Sequence, residues 1–145
     1  MSEPVALETD EPIAALLSRA LKLEPFFPEF SAEHARKLFP RSGLFAYPRE
    51  QVLVRQGELG RDLFIVCAGR VGVLKGPGFI VATLEAGAVL GEIALLREVP
   101  RTATVTALED SRVFRLAYPD LRYILEHNEE LAAHLRTLAT ERLAS

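Results

Sequence analysis

Apolar residues recur at helical spacing from Glu11 to Leu23, where Ile13, Leu16, Leu17, Ala20 and Leu21 share one face before the pattern stops at Glu24-Pro25. Pro25 and Pro28 bar a helix from the next stretch, and Ser31, with Glu33 just behind it, has the character of an N-cap opening a second helix to about Phe39. After Pro40 the pattern becomes strand-like in short runs: Leu44 to Tyr47, Gln51 to Val54, Leu63 to Ala68, Arg70 to Lys75, Phe79 to Leu84, Thr102 to Leu108 and Arg112 to Leu116. Gly57, Gly60, Gly69, Gly76-Pro77-Gly78, Gly87 and Glu109-Asp110-Ser111 separate the runs, as in a sandwich, roll or barrel rather than in βαβ units. From Tyr118 the helical period returns with Leu121, Ile124 and Leu125, and Asn128 caps a last helix whose first turn carries Glu129 and Glu130. Leu131, Leu135, Leu138 and Leu143 form a stripe on that helix, with Arg136 and Arg142 toward its C-terminal end. The stripe either packs on its own domain or serves as a lid or dimer seam.

These patterns predict a mainly β chain with flanking helices, an α+β arrangement built on an antiparallel β-roll or jelly roll of about eight strands. The expected organisation is one domain: a flexible leader over residues 1–11, an N-terminal helical segment over 12–40, the β-roll over 41–117 and a two-helix C-terminal tail over 118–145.

Composition narrows the function. A chain of 145 residues that is 49% apolar buries a core without staples. Its net charge of -3 offers no global basic field, so direct nucleic-acid binding is not expected. The N-terminal sequence is acidic, without the flanks of a signal peptide, and no apolar run approaches the roughly 18 residues of a membrane span, so a cytoplasmic protein without membrane attachment is expected. Cys67 is the single cysteine; it sits in the run Phe64 to Ala68, with no base nearby, and reads as a buried small hydrophobe. Jelly-roll enzymes use histidines projecting from strands to bind metal, whereas His34, His127 and His134 all fall on helices or their edges. No enzyme activity, metal site or cofactor is therefore expected.

The chemistry concentrates between Gly91 and Val105. Gly91 lets backbone approach a ligand closely, and the peptide N–H groups at the start of the very short helix behind it suit an anion. Pro100 stops further helix and pushes its predecessor toward extended geometry, so Arg101 is expected to enter the next strand at its first residue and point back at the same anion. Glu92 adds a carboxylate, small Ala94 and Ala103 flank the charges, and Ile93, Leu95 and Leu96 give the short helix an apolar side. The combination suits a phosphorylated sugar, without fixing which one.

The segment GEIALLREVPRTATV, the run Val54-Arg55-Gln56-Gly57-Glu58-Leu59-Gly60 and the run from Asp62 to Val71 resemble the cyclic-nucleotide-binding domains of protein kinase A regulatory subunits, cyclic-nucleotide-gated channels and the bacterial catabolite activator protein. The resemblance extends from about Leu21 to Leu143. It implies a phosphate-binding cassette at residues 91–105, in which Glu92 receives the ribose 2'-hydroxyl, Arg101 pairs with the cyclic phosphate, and the backbone at Gly91, Ile93 and Ala94 assists. Thr102 and Ala103 would lie at the ligand, and Val73, Val81 and Leu84 would wall the purine pocket. Thr102 bears on base identity: a threonine stands here in several cGMP-preferring members, yet members with serine or threonine also bind cAMP, and cAMP is the favoured ligand with cGMP as the alternative.

The implied role is a regulatory sensor that signals by moving its C-terminal helices, through an unidentified protein effector or a homodimer formed by the last helix. Two alternatives stay open, an interaction module of the same fold that has lost its ligand and a sensor fragment of a larger regulator.

Overall fold

The structure, a computed structural model, describes residues 3–144; the side chains of Ala94 and of residues 142–144 lie outside the described set, and with them the expected places of Arg142 and Leu143. Two helices precede the roll, α1 (Glu11–Ala20) and α2 (Ala32–Leu38), and two follow it, α3 (Tyr118–His127) and α4 (Glu129–Ala144). The described strands are β1 (Val5–Leu7), β2 (Gly43–Tyr47), β3 (Val52–Val54), β4 (Leu63–Ala68), β5 (Val71–Lys75), β6 (Phe79–Leu84), β7 (Val89–Leu90), β8 (Thr104–Ala107) and β9 (Ser111–Leu116). They form a five-stranded sheet in the order β1-β2-β9-β4-β7 and a four-stranded sheet in the order β3-β8-β5-β6, with antiparallel pairing throughout.

Strand β4 explains how the layers are stacked. Its run Leu63 to Cys67 is buried on both faces, and a strand covered on both sides loses the alternation of a half-exposed one. Leu63, Ile65 and Cys67 face the helices, in a core with Leu17, Leu21, Phe114, Leu121, Leu131 and Leu135. Phe64 and Val66 face the other way, into a second core between the sheets with Tyr47, Val71, Val105, Ala107 and Val113. The stripe on α4 thus packs on its own domain through Leu131 and Leu135.

Local signals end the helices as the side chains dictate. Ile13 N–H donates to Asp10 Oδ1 at 3.1 Å, Ser31 and His34 form a capping box, and Leu131 N–H donates to Asn128 Oδ1 at 3.1 Å. Helix α1 stops at Ala20 rather than running to Leu23, because Lys22 takes a left-handed φ of 50° and Leu23 N–H turns back to the Ser18 carbonyl. Leu21 and Leu23 still reach the core from the turn. The corner between β9 and α3 is tied to the start of β2: buried Asp120 accepts from Arg41 N–H at 3.0 Å and from Ser42 Oγ at 2.6 Å, and Ser42 Oγ accepts from Ala117 N–H at 2.9 Å.

Two expectations are corrected, and one strand is found that none foresaw. The leader is not all loose, since Val5 to Leu7 pair with β2 as an edge strand. Its side chains are exposed, so backbone hydrogen bonding to a free edge, not burial, holds it there. Strand β7 is only two residues long, too short for any period to reveal. Strand β6 keeps its expected bounds but not its expected role, because it is the outer strand of its sheet and Val81 is 55% exposed. Val73 pairs with Ala82 and Leu74 with Ile80, which leaves Val81 as the extra residue of a β-bulge.

Cys67 is buried, and desolvation raises its thiol pKa from 9.0 to about 11. The folded chain should therefore resist thiol reagents at pH 8 and react only on unfolding, as followed by labelling across a urea titration. Because the unfolded thiol ionises first, stability relative to Cys67→Ala should fall as pH rises from 9.0 toward about 11 and be level below that window; urea midpoints across this range check it.

Candidate ligand-binding site

Gly91 adopts a left-handed φ of 85° and opens a 3₁₀ helix over Glu92–Leu95, closed by Leu96 N–H on the Ile93 carbonyl. The conformation suits glycine, and so does the space: a Cβ built there would fall 2.6 Å from Arg101 Nη1 and 2.8 Å from the Asp62 carbonyl oxygen. A Cβ on Gly60 would sit 3.4 Å from Arg101 Nη2. The guanidinium therefore lies in a slot bounded by two glycines.

Arg101 does not begin a strand as expected, since β8 starts at Thr104. Its backbone is engaged elsewhere: Arg101 N–H donates to the Glu58 carbonyl and Gly57 N–H donates to the Arg101 carbonyl, both at 2.8 Å. That pairing ties the segment to the glycine-rich loop, which Gln56 N–H fastens further by donating to Thr104 Oγ1 at 2.9 Å. The Arg101 side chain donates from Nη2 to the Asp62 carbonyl at 2.9 Å and lies 5.8 Å from the centroid of the Phe64 ring. Partial burial lowers its pKa, and the nearby carboxylates of Asp62 and Glu58 act against that shift. A guanidinium remains protonated at neutral pH.

The slot opens into a cavity of about 280 Å³ between the two sheets. One wall is a row of paired residues, Val54, Val105 and Val73, running across β3, β8 and β5. Another is the pair Phe64 and Leu90 on β4 and β7. Leu53, Val99, Pro100, Ala103 and Ile93 complete the apolar lining, while Gly60, Gly91 and Thr102 line it beside the two charged residues, Glu92 and Arg101. The Glu92 carboxylate has no hydrogen-bond or ion-pair partner among the described residues. A second cavity, of about 260 Å³, shares the Arg101 wall and adds Tyr47, Glu58, Asp62 and Arg115. No group of three or more His, Cys, Asp or Glu among the described residues could hold a metal ion.

Of the residues singled out in the sequence, Gly91, Glu92, Ile93, Arg101, Thr102, Ala103 and Val73 line the cavity. Ala94 lies in the 3₁₀ helix, its side chain outside the described set. Val81 and Leu84 are not brought there. The bulge leaves Val81 exposed, and Leu84 pairs with Val71, one inward-facing step beyond Val73, and packs on the core between the sheets. Leu53, Val54, Phe64, Leu90, Val99, Pro100 and Val105 were not assigned to the site from sequence, although Val54, Phe64, Val99, Pro100 and Val105 belong to the motif runs; strand pairing makes Val54 and Val105 neighbours. Leu135 of α4 is buried and Leu138 half-buried; together with Ala139 they border a small gap shared with Glu92 and Leu95, on the side of the 3₁₀ helix away from the apolar rows of the cavity.

Residues 44–128 match the cyclic nucleotide-binding domain family. The chain is 39% identical over 104 residues to human cyclic nucleotide-gated channel beta-1, covering 68% of this chain and 8% of the channel. It is 35% identical over 106 residues to the cAMP-dependent protein kinase regulatory subunit of Mycosarcoma maydis, covering 71% of this chain and 20% of that protein. It thus spans a fifth or less of these two relatives. Among solved structures, a cyclic nucleotide-binding domain from Methylobacillus flagellatus is similar with a TM-score of 0.70 and 27% identity, over 92% of this chain and 77% of that one. No described helix is long and apolar enough to cross a membrane. With nine described strands in two antiparallel sheets and residues 44–128 matched, this chain belongs to the cyclic nucleotide-binding domain family.

Proposed function

We propose that the cavity takes cAMP in preference to cGMP, with the cyclic phosphate on Arg101 and the ribose 2'-hydroxyl on Glu92. The observation that carries this reading is the presence of one guanidinium and one carboxylate without a partner among the described residues in the lining of a mainly apolar cavity. A half-buried cation calls for an anion, and a carboxylate beside that anion is tolerable when aimed at a hydroxyl. The N–H groups of Ile93 and Ala94 add donors for the phosphate, and Gly91 leaves room for it. Val54, Val73, Val99 and Val105 offer apolar surface to the purine, and Thr102, which lines the same cavity, is the residue assigned to read the base.

In this reading the chain works as a sensor. The 3₁₀ helix that carries Glu92 shares a small gap with Leu135, Leu138 and Ala139 of α4, so a ligand that draws Glu92 inward alters that packing and shifts the population of helix positions. The small share of its relatives' length that the chain spans favours a sensor portion of a longer regulator, acting through a protein effector or through a homodimer seam on α4. An interaction module without ligand is the lesser reading, because the glutamate and the arginine are both present.

Calorimetric titration with both nucleotides tests the ligand, and tighter binding of cGMP that is lost in Thr102→Ala would reverse the stated preference. Arg101→Ala should weaken cAMP binding roughly 10- to 150-fold, the worth of a charge-assisted hydrogen bond. The 2'-deoxy nucleotide should bind more weakly than the ribose form to the parent but not to Glu92→Ala. Gly91→Ala should lose affinity as well and lower stability in urea by about 1–2 kcal/mol, because the left-handed backbone is retained only under strain and the Asp62 carbonyl stands 2.8 Å from the added methyl.

A further inference from the structure

Among the described residues Asp62 alone hydrogen-bonds both Arg101 and the first turn of α3. Its carbonyl accepts from Arg101 Nη2 at 2.9 Å. Its carboxylate accepts from Tyr118 N–H through Oδ1 at 2.7 Å and from Arg115 Nε through Oδ2 at 2.8 Å. Arg115 lies near the end of β9 and Tyr118 is the first residue of α3, so one carboxylate brackets the turn between them.

That turn has no cap of its own. The residue before the helix is Ala117, whose side chain can accept nothing, and the first N–H groups of a helix need acceptors from outside it. Asp62 supplies one from 56 positions away in the sequence, at the pole of the helix where a negative charge is favoured. The same residue, through its main chain, holds the guanidinium that faces the cavity. Carbonyl and carboxylate branch from one Cα, and the hydrogen bonds from Arg101, Arg115 and Tyr118 hold the torsions between them, so a shift at either end is felt at the other.

We propose that Asp62 is a positioning residue that couples the state of Arg101 to the N-terminus of α3, and through α3 to α4. For the ligand-driven direction this rests on the reading that Arg101 receives a phosphate. An anion in the cavity competes for the guanidinium donors and changes their pull on the Asp62 carbonyl; the carboxylate passes the change to Tyr118 N–H. Arg115, at the same carboxylate, limits how far it can turn.

The experiment measures exchange of the Tyr118 amide by NMR in the full chain, first without ligand. Arg101→Ala should speed that exchange about fivefold, the equivalent of roughly 1 kcal/mol of helix capping. On an Asp62→Ala background, where the connection is already cut, the same change should have an effect below about twofold. Asp62→Asn, which keeps an acceptor for Tyr118, should restore the response to Arg101→Ala and stands in for Asp62→Ala should that variant not fold. If Asp62 only capped the helix, Arg101→Ala would leave Tyr118 exchange unchanged in the parent, and that result overturns the proposal, as does an equal effect on both backgrounds. With saturating cAMP, Tyr118 exchange should change in the parent and in Asp62→Asn but not in Asp62→Ala with ligand bound; a parent-like change in bound Asp62→Ala also overturns it. A parent that binds no cyclic nucleotide would sink the functional reading alone, and the ligand-free cycle would still decide the coupling.

Discussion

A guanidinium drawn partly out of water is costly unless acceptors and opposing charge are arranged around it, and the site is organised by that requirement at Arg101. One acceptor is the Asp62 carbonyl. The space comes chiefly from Gly91, where a Cβ would crowd both the guanidinium and the Asp62 carbonyl, with Gly60 in van der Waals reach on another side. The backbone position is set by hydrogen bonds to the loop at Gly57 and Glu58. Since Nη2 is engaged on the side of Asp62, the cation is held in place while donors remain for the cavity.

The rest of the fold gives that arrangement its stiffness. Strand β4, covered on both faces, carries Phe64 into the cavity while its neighbours Leu63 and Ile65 anchor the helices. The start of α3 is fixed from two directions, by Asp62 at Tyr118 and by the Ser42 hydroxyl at Ala117, with buried Asp120 holding Ser42. Binding surface, sheet and tail are therefore joined by hydrogen bonds with defined geometry as well as by apolar packing, which alone would allow sliding.

What could be read from the sequence was what neighbouring residues specify. The 3₁₀ helix behind Gly91, the caps at Ser31 and Asn128 and the bounds of β6 depend on a few adjacent side chains, and they stand where the patterns place them. Glu92, Arg101 and Thr102 reach the cavity because they belong to one continuous segment. Leu84 did not, because it faces inward opposite Val71, one step beyond the cavity wall at Val73. Val81 did not, because which residue of an outer strand faces inward depends on pairing register, and a bulge of one residue changes it. The row Val54, Val105 and Val73 was hidden for the same reason, since its members become neighbours only when three strands align. Val5 to Leu7 carry no burial signal, and Asp62 reads as an ordinary surface acid until the chain brings Arg101 and Tyr118 to it.

The pairing of β9 with both β2 and β4 also governs the order in which the molecule can be assembled. Residues 111–116 are the only strand between those two, so β1 with β2, and β4 with β7, have no common sheet until the chain has been made through Leu116. Such distant partners close long loops before their contacts repay the entropy, which slows folding relative to a locally connected chain. On the ribosome the roll would wait for its last strand, and the slot around Arg101 would acquire its final shape only as the C-terminal helices emerge behind it.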